Sequence, residues 1–205
     1  MQEYEYHYEG AEFYCYPKTQ ILINKLGIHN EKKLSEIEQA ITFPKWVAYK
    51  NNPIKGNFDF NHFCQIHHYL FAELYEWAGK PRLGGFMSIG RTKFIDSEYI
   101  KSSFDDIYEK LQKDNFFKNL PKEEFCEKMA YFMADINKVH PFRDGNGRTM
   151  KLYFSQLAQN SGYDLEFSLA SKDDLILADV LAYNGNYQLL IEILNKIVSS
   201  TSTRL

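Results

Sequence analysis

Apolar residues recur at helical spacing along most of this chain, and that periodicity limits the folds open to it more than any other feature. In Lys122–Val139, Phe125, Met129, Phe132, Met133 and Ile136 fall three or four residues apart, so they share one face of a helix. Pro121 suits the first turn of that helix. The same period puts Leu34, Ile37, Ile41 and Trp46 on a helix after the cap Asn30, broken or bent near Pro44. Asp59 caps another, which carries Phe63, Ile66, Leu70 and Leu74 and ends near Gly79. Asp96 precedes a third run through Tyr99, Ile100, Phe104, Ile107 and Leu111, and two more helices fit 172–183 and 187–198, parted by Asn184-Gly185. Only 82–95 breaks the pattern. There Gly84-Gly85 and Gly90 punctuate short extended runs over 86–89 and 92–95, which predicts a β-hairpin. A lone hairpin is marginal in water and must pack on helices. The expected fold class is all-α, mainly helical, with one small β-hairpin flap.

No internal repeat, low-complexity block or Pro/Gly-rich linker interrupts the 205 residues, so a single domain over 1–205 is expected. With 16 Phe and 15 Tyr among only 44% hydrophobic residues, the core must rest on large aromatic rings. A net charge of −3 and the lack of a long Lys/Arg run leave no footprint for nonspecific nucleic-acid binding. Cys15, Cys64 and Cys126 form no Cys-x-x-Cys pair, which argues against a disulfide framework or zinc ribbon and for buried free thiols. His62, His67 and His68 lack the spacing of a helical metal pair and are assigned structural or solvated roles. No apolar run approaches the ~20 residues of a membrane span. The chain is read as soluble and cytoplasmic.

The chemistry is concentrated in His140-Pro-Phe-Arg-Asp-Gly-Asn-Gly-Arg-Thr149. Gly145 and Gly147 can take positive φ and bring bare backbone amides up to an anion. Arg148 opens an apolar helix-patterned run, so these amides should lie at a helix N-terminus, where the macrodipole favours phosphate. Asp144 is a hard oxygen ligand of the kind Mg²⁺ requires. His140 is the side chain here that titrates near neutral pH and can take a proton. Phe142, apolar in a polar loop, is read as the loop's anchor in the core.

This string resembles the signature of the Fic family, His-Pro-Phe-x-Asp/Glu-Gly-Asn-Gly-Arg-x-x-Arg, with Lys151 in place of the last arginine. Tyr14-Cys-Tyr-Pro17, Gly56-Asn-Phe-Asp59, Ile66-His-His-Tyr-Leu-Phe71 and Tyr75-Glu-Trp-Ala-Gly79 are similar to the family's N-terminal half. The resemblance implies a Fic fold: N-terminal helices over 18–79, a flap over 82–95, the motif loop and its helix over 140–162, and C-terminal helices over 172–198. It also implies a protein adenylyltransferase that moves AMP from Mg²⁺·ATP to a target hydroxyl. His140 is then the catalytic base and Asp144 the Mg²⁺ ligand. Gly145, Asn146, Gly147, Arg148 and Lys151 bind phosphates, and Asn186 lines the adenine pocket. A β-augmented target loop would lie along the flap. Two alternatives stay open: a Fic-fold transferase using another nucleotide or phospho-donor, and a non-catalytic nucleotide-binding interaction module. Many relatives carry an inhibitory Ser/Thr-x-x-x-Glu-Gly/Asn helix. Here Glu9-Gly10 is the nearest match, with Glu5 at the Ser/Thr place, and 199–205 holds no glutamate. A separate small antitoxin is therefore the expected inhibitor, as in the toxin branch, where type II topoisomerase subunits are plausible targets.

Overall fold

The computed structural model describes residues 6–90 and 92–201. Its helices are α1 (Glu31–Asn51), α2 (Phe60–Phe71), α3 (Ile100–Lys113), α4 (Lys122–Val139), α5 (Asn146–Asn160), α6 (Lys172–Tyr183) and α7 (Gln188–Ile197). Two of the expected caps start helices. Asn30 Oδ1 accepts from the Lys33 N–H at 2.9 Å and Asp59 Oδ1 from the His62 N–H at 2.8 Å, satisfying first-turn amides that have no partner within the helix. Asp96 caps a short 3-10 turn, Ser97–Tyr99, which leads into α3.

Several boundaries differ from the sequence reading. α1 continues through Pro44 as one helix, with Thr42 before it and Tyr49 after it both buried. α2 stops at Phe71 rather than near Gly79. Beyond it the chain doubles back: Gly79 takes φ +77°, donates its N–H to His67 Nδ1 at 2.8 Å, and lies so close to α2 that a Cβ would sit 2.9 Å from the Cys64 carbonyl. α5 begins at Asn146, two residues before Arg148.

The flap is larger than a hairpin. Strands β1 (Tyr6–Tyr8), β2 (Met87–Ile89) and β3 (Thr92–Lys93) form an antiparallel sheet in the order β1-β2-β3, with His7 opposite Ser88 and Ser88 opposite Lys93. A second small ladder pairs β4 (Tyr163–Leu165) with β5 (Val198–Ser200) and fastens the end of α7 beside the end of α5. Neither β1 nor this ladder was expected. Three residues are too short a run for a periodic signal, and each strand pairs with a segment distant in sequence.

α4 is the centre of the core, packed by α3, α5, α6 and α7, with Phe125, Met129, Ala130 and Ile136 wholly enclosed. α5 lies on α2, and its buried Tyr153 donates to the Phe58 carbonyl and meets Phe63 edge-on at 5.0 Å. Each such ring pair is worth about 0.5–1.5 kcal/mol beyond its burial. This aromatic floor supports the loop between α4 and α5, where the chemical motif lies. Among the described residues no helix is long and apolar enough to cross a membrane.

Candidate active site

The loop from α4 to α5 is held from beneath. α4 terminates at His140 in the left-handed conformation, φ 44° and ψ 62°, and Pro141 prevents a further helical turn. A non-glycine residue there costs roughly 1–2 kcal/mol. Phe142 is wholly buried, its ring stacked 3.8 Å from His67 and 5.5 Å from Phe63. It is the anchor its apolar character suggested. Asn146 closes the loop: Oδ1 accepts from the Phe142 N–H at 2.9 Å and Nδ2 donates to the Phe142 carbonyl at 2.8 Å. Its side chain thus shapes the loop's own backbone rather than reaching out to a ligand. Arg143 turns away from the loop mouth, its guanidinium 5.4 Å over the Tyr8 ring and Nη2 3.9 Å from Cys15 Sγ.

His67 was read as structural, and its place is directly under the motif. Nδ1 accepts from Gly79, so Nε2 carries the proton and donates to the Asp144 carbonyl at 2.9 Å. Burial pushes its pKa down to about 3, with the nearby Arg148 adding to the effect, so the ring stays neutral. His62 likewise accepts the Phe58 N–H, at 3.1 Å, and His68 Nδ1 lies 3.1 Å from the Ala78 carbonyl.

The two glycines are not equivalent. Gly145 caps α5 with φ +78°, and a Cβ there would sit 2.4 Å from the Phe71 ring. Gly147 lies inside α5's first turn with nothing within 4 Å of its Cβ position, so positive φ is needed at one of the two positions only. Gly147 is exposed, so the first turn of α5 presents an open surface at that position. Asp144, just before this turn, has its side chain half exposed, with Oδ1 accepting the Gly145 N–H and 3.8 Å from Arg148 Nη2. Among the described residues Oδ2 makes no hydrogen bond, which suits a Mg²⁺ bound by one carboxylate and substrate phosphates.

Both cations of α5 have protein partners. Arg148 Nη1 is 2.6 Å from Glu38 Oε1 of α1, and its guanidinium lies 4.6 Å over Phe71. Glu38 in turn accepts the Tyr75 hydroxyl. No sequence motif marked Glu38, because the partners come from separate helices. Lys151 lies 5.8 Å over the Phe167 ring; burial lowers its pKa and Asp179 of α6 raises it. Arg148 and Lys151 line a groove of about 690 Å³ together with Glu36, Gln39, Phe43, Trp46 and Leu70. Asn186 is exposed in the α6–α7 turn, where its Oδ1 accepts the Gln188 N–H at 3.2 Å. Tyr183, at the end of α6, carries this turn to the flap: its hydroxyl donates to the Lys93 carbonyl at 2.9 Å and accepts the Lys93 N–H at 3.3 Å. With β2 central, β3 is the flap edge on that side. Glu9 sits at the other end of the flap, Oε2 accepting the Phe86 N–H at 3.0 Å, away from the groove of Arg148 and Lys151.

His140 faces the flap. Its ring stacks on Phe94, centroids 3.8 Å apart and planes 14° from parallel. Nδ1 is buried and meets no partner at full hydrogen-bond geometry, although the Asn137 carbonyl is near enough to raise the pKa. Nε2 is therefore the nitrogen left to meet a substrate. Burial and the Arg82 charge outweigh Asn137 and press the pKa down to about 3, so the imidazole is neutral and able to accept a proton at pH 7.

The Fic/DOC family model matches residues 57–158, from the approach to α2 through nearly all of α5. A probable protein adenylyltransferase of Sinorhizobium fredii is 32% identical over 173 residues, spanning 84% of this chain and 88% of that one. This chain belongs to the Fic/DOC family. Among individual relatives, the protein adenylyltransferase VbhT of Bartonella schoenbuchensis is 32% identical over 190 residues. That stretch is 92% of this chain but only 40% of VbhT. The crystal structure of the effector BepC of Bartonella tribocorum, with AMPPNP bound, superposes with TM-score 0.86 at 27% identity, covering 95% of this chain and 100% of that one.

Proposed function

We propose that this protein is an adenylyltransferase that moves AMP from Mg²⁺·ATP to a Ser, Thr or Tyr hydroxyl of a target protein. The observation that carries this reading is a neutral His140 whose Nε2 makes no hydrogen bond among the described residues, six positions before the exposed first turn of α5, whose amides suit phosphates. His140 takes the proton as the target oxygen bonds to the α-phosphorus. The bond from that phosphorus to its bridging oxygen breaks, and pyrophosphate leaves. Asp144 is the carboxylate that would hold Mg²⁺, which would supply positive charge to offset the phosphates. The α5 amides and Arg148 stabilise the charge that develops, and positioned electrostatics of this kind supply most of such catalysis. Names of the relatives and the AMPPNP held by BepC support the same donor.

The nucleotide is the part of this reading most open to variation. Lys151, in the place of the family's second arginine, is a point charge without a bidentate fork and feels the charge of Asp179 on α6. A different nucleotide or phospho-donor is the second reading, favoured by that lysine. Restraint by a separate antitoxin is supported by the groove that Arg148 and Lys151 share with Phe43, 66% exposed, and Trp46, although Glu36 also lines it. An amphipathic helix bearing one glutamate fits such a surface. A cytoplasmic site of action follows from the same reading. The test is incubation with Mg²⁺ and α- or γ-labelled ATP, GTP, CTP or UTP in lysate, then mass spectrometry of labelled bands. Type II topoisomerase subunits are the first candidates to check. AMP transfer requires α-label and a shift of one AMP unit. Label from γ-phosphate alone, or no labelled protein, defeats it.

A further inference from the structure

The deepest polar side chain near His140 has no role in the mechanism above. Arg82, 1% exposed, comes from the segment between α2 and the flap. Its donors end on backbone carbonyls of three separate stretches. The backbone N–H donates to the Pro141 carbonyl at 2.7 Å and Nε to the His140 carbonyl at 3.0 Å. Nη1 donates to Gly85 at 2.8 Å, where the chain enters the flap, and Nη2 to Ile95, where it leaves. Ile95 continues the link through its own N–H to the Lys138 carbonyl of α4, 3.0 Å away. One residue further back, Phe94 lies flat against the His140 ring. A planar guanidinium with donors in a rigid fork can span these carbonyls together; an ammonium cannot.

We propose that Arg82 is a positioning residue for the transfer reaction, joining the flap's two ends to the His140–Pro141 backbone so that the imidazole and the target-aligning strand move as one body. The backbone of His140 is in an unfavourable conformation, tied to α4 by its N–H to the Ile136 carbonyl at 3.3 Å, and its Nδ1 has no well-formed bond; Phe94 and the carbonyl that Arg82 grips add the contacts on the flap side. Arg82 also acts on the ring's ionisation. The groups that do so are the enclosing protein and Arg82, which lower the pKa, and the α4 carbonyl of Asn137, which raises it; Phe94, on the flap side, is neutral. A merely structural arginine would affect stability alone.

The inference rests on the adenylyltransferase reading, and its test separates the two. Arg82→Gln and Arg82→Lys are compared with the unaltered protein for thermal stability, kcat and KM for ATP, and His140 titration by imidazole NMR. His140→Ala assigns the signal. Arg82→Gln should raise the His140 pKa, while Arg82→Lys keeps it low. In both, kcat should fall on the order of 10²-fold, the cost typical of a reacting group displaced by about 1 Å, with KM for ATP within twofold. Folded variants with wild-type kcat and unchanged titration would overturn the role, as would a KM rise that accounts for the whole loss. If Arg82→Gln does not fold, Arg82→Lys decides by its split between kcat and KM. Should the unaltered protein transfer nothing, the functional reading fails, and the titration still tests whether Arg82 controls the imidazole.

Discussion

At the scale of single residues, His140 and the two motif glycines have separable tasks. His140→Ala removes the base but touches neither the α5 amides nor Asp144. Transfer should fall on the order of 10²–10⁴-fold while ATP affinity, read by calorimetry, stays near wild type. Wild-type transfer by this variant would remove His140 from the chemistry. The glycines give a sharper contrast. Gly145→Ala meets both a positive φ and Phe71, so it should melt well below wild type. Gly147→Ala meets nothing in the protein and gains helix propensity worth up to ~1 kcal/mol. Its melting temperature should hold or rise while ATP binding weakens, because the new methyl stands on the exposed first turn of α5, where the proposed phosphates dock. Unchanged ATP affinity in Gly147→Ala would place the phosphates elsewhere. The need for glycine at 145 was legible in the sequence; the freedom at 147 was not, since only the course of α5 shows what surrounds that position.

Between elements, α1 and α5 are tied by charge and hydrogen bonds. Glu38 meets Arg148, and the Tyr49 hydroxyl donates to Gln156 Oε1 at 2.6 Å. The Arg148 side chain is about one-third exposed and Glu38 nearly covered, so water screens this pair only in part. The same guanidinium is offered to the nucleotide. Glu38→Gln keeps a partner for Tyr75 and removes the competing charge. It should lower the melting temperature by a few degrees, a loss of about 1 kcal/mol, and tighten ATP binding severalfold. Paired melting and titration measurements check both effects in one preparation. A joint fall in stability and ATP affinity would instead show that Glu38 aims Arg148 at the phosphates. The helices themselves were legible from their periodicity and caps. Their pairing was not, because an ion pair between residues 38 and 148 leaves no mark in either local pattern.

Across the whole molecule, buried neutral histidines should govern acid stability. His67 and His140 are held near pKa 3, and burial also lowers His62. In the unfolded chain each takes a proton near pH 6.5. Below that pH the unfolded state binds more protons than the folded one, so stability is full above about pH 6.5 and drains away as pH falls towards 3. The fully enclosed His67 alone contributes up to ~1.4 kcal/mol per pH unit. Asp179 works in the opposite sense: burial raises its pKa to about 6, with Lys151 opposing, so it gains relative stability as pH falls from about 6 towards its unfolded value. It offsets one histidine in that window. Denaturant unfolding should therefore show a clear loss of stability between pH 7 and pH 5. A flat profile over that range would mean that the imidazoles are not held neutral.

The amino-acid order by itself determined the helical class, most caps, the flap's location and the family, because each rests on local periodicity or on a contiguous string of chemical groups. It also marked His140, Asp144 and the run 145–148 as one chemical unit. Only the tertiary structure decided that β1 completes the flap, that β4 pairs with β5, that His67 supports Asp144, that Glu38 holds Arg148, and that Arg82 binds the flap to the loop. Each of these joins residues far apart in the chain through a few polar contacts or a short ladder. Such contacts exist only once packing has excluded water and obliged every buried donor to find an acceptor.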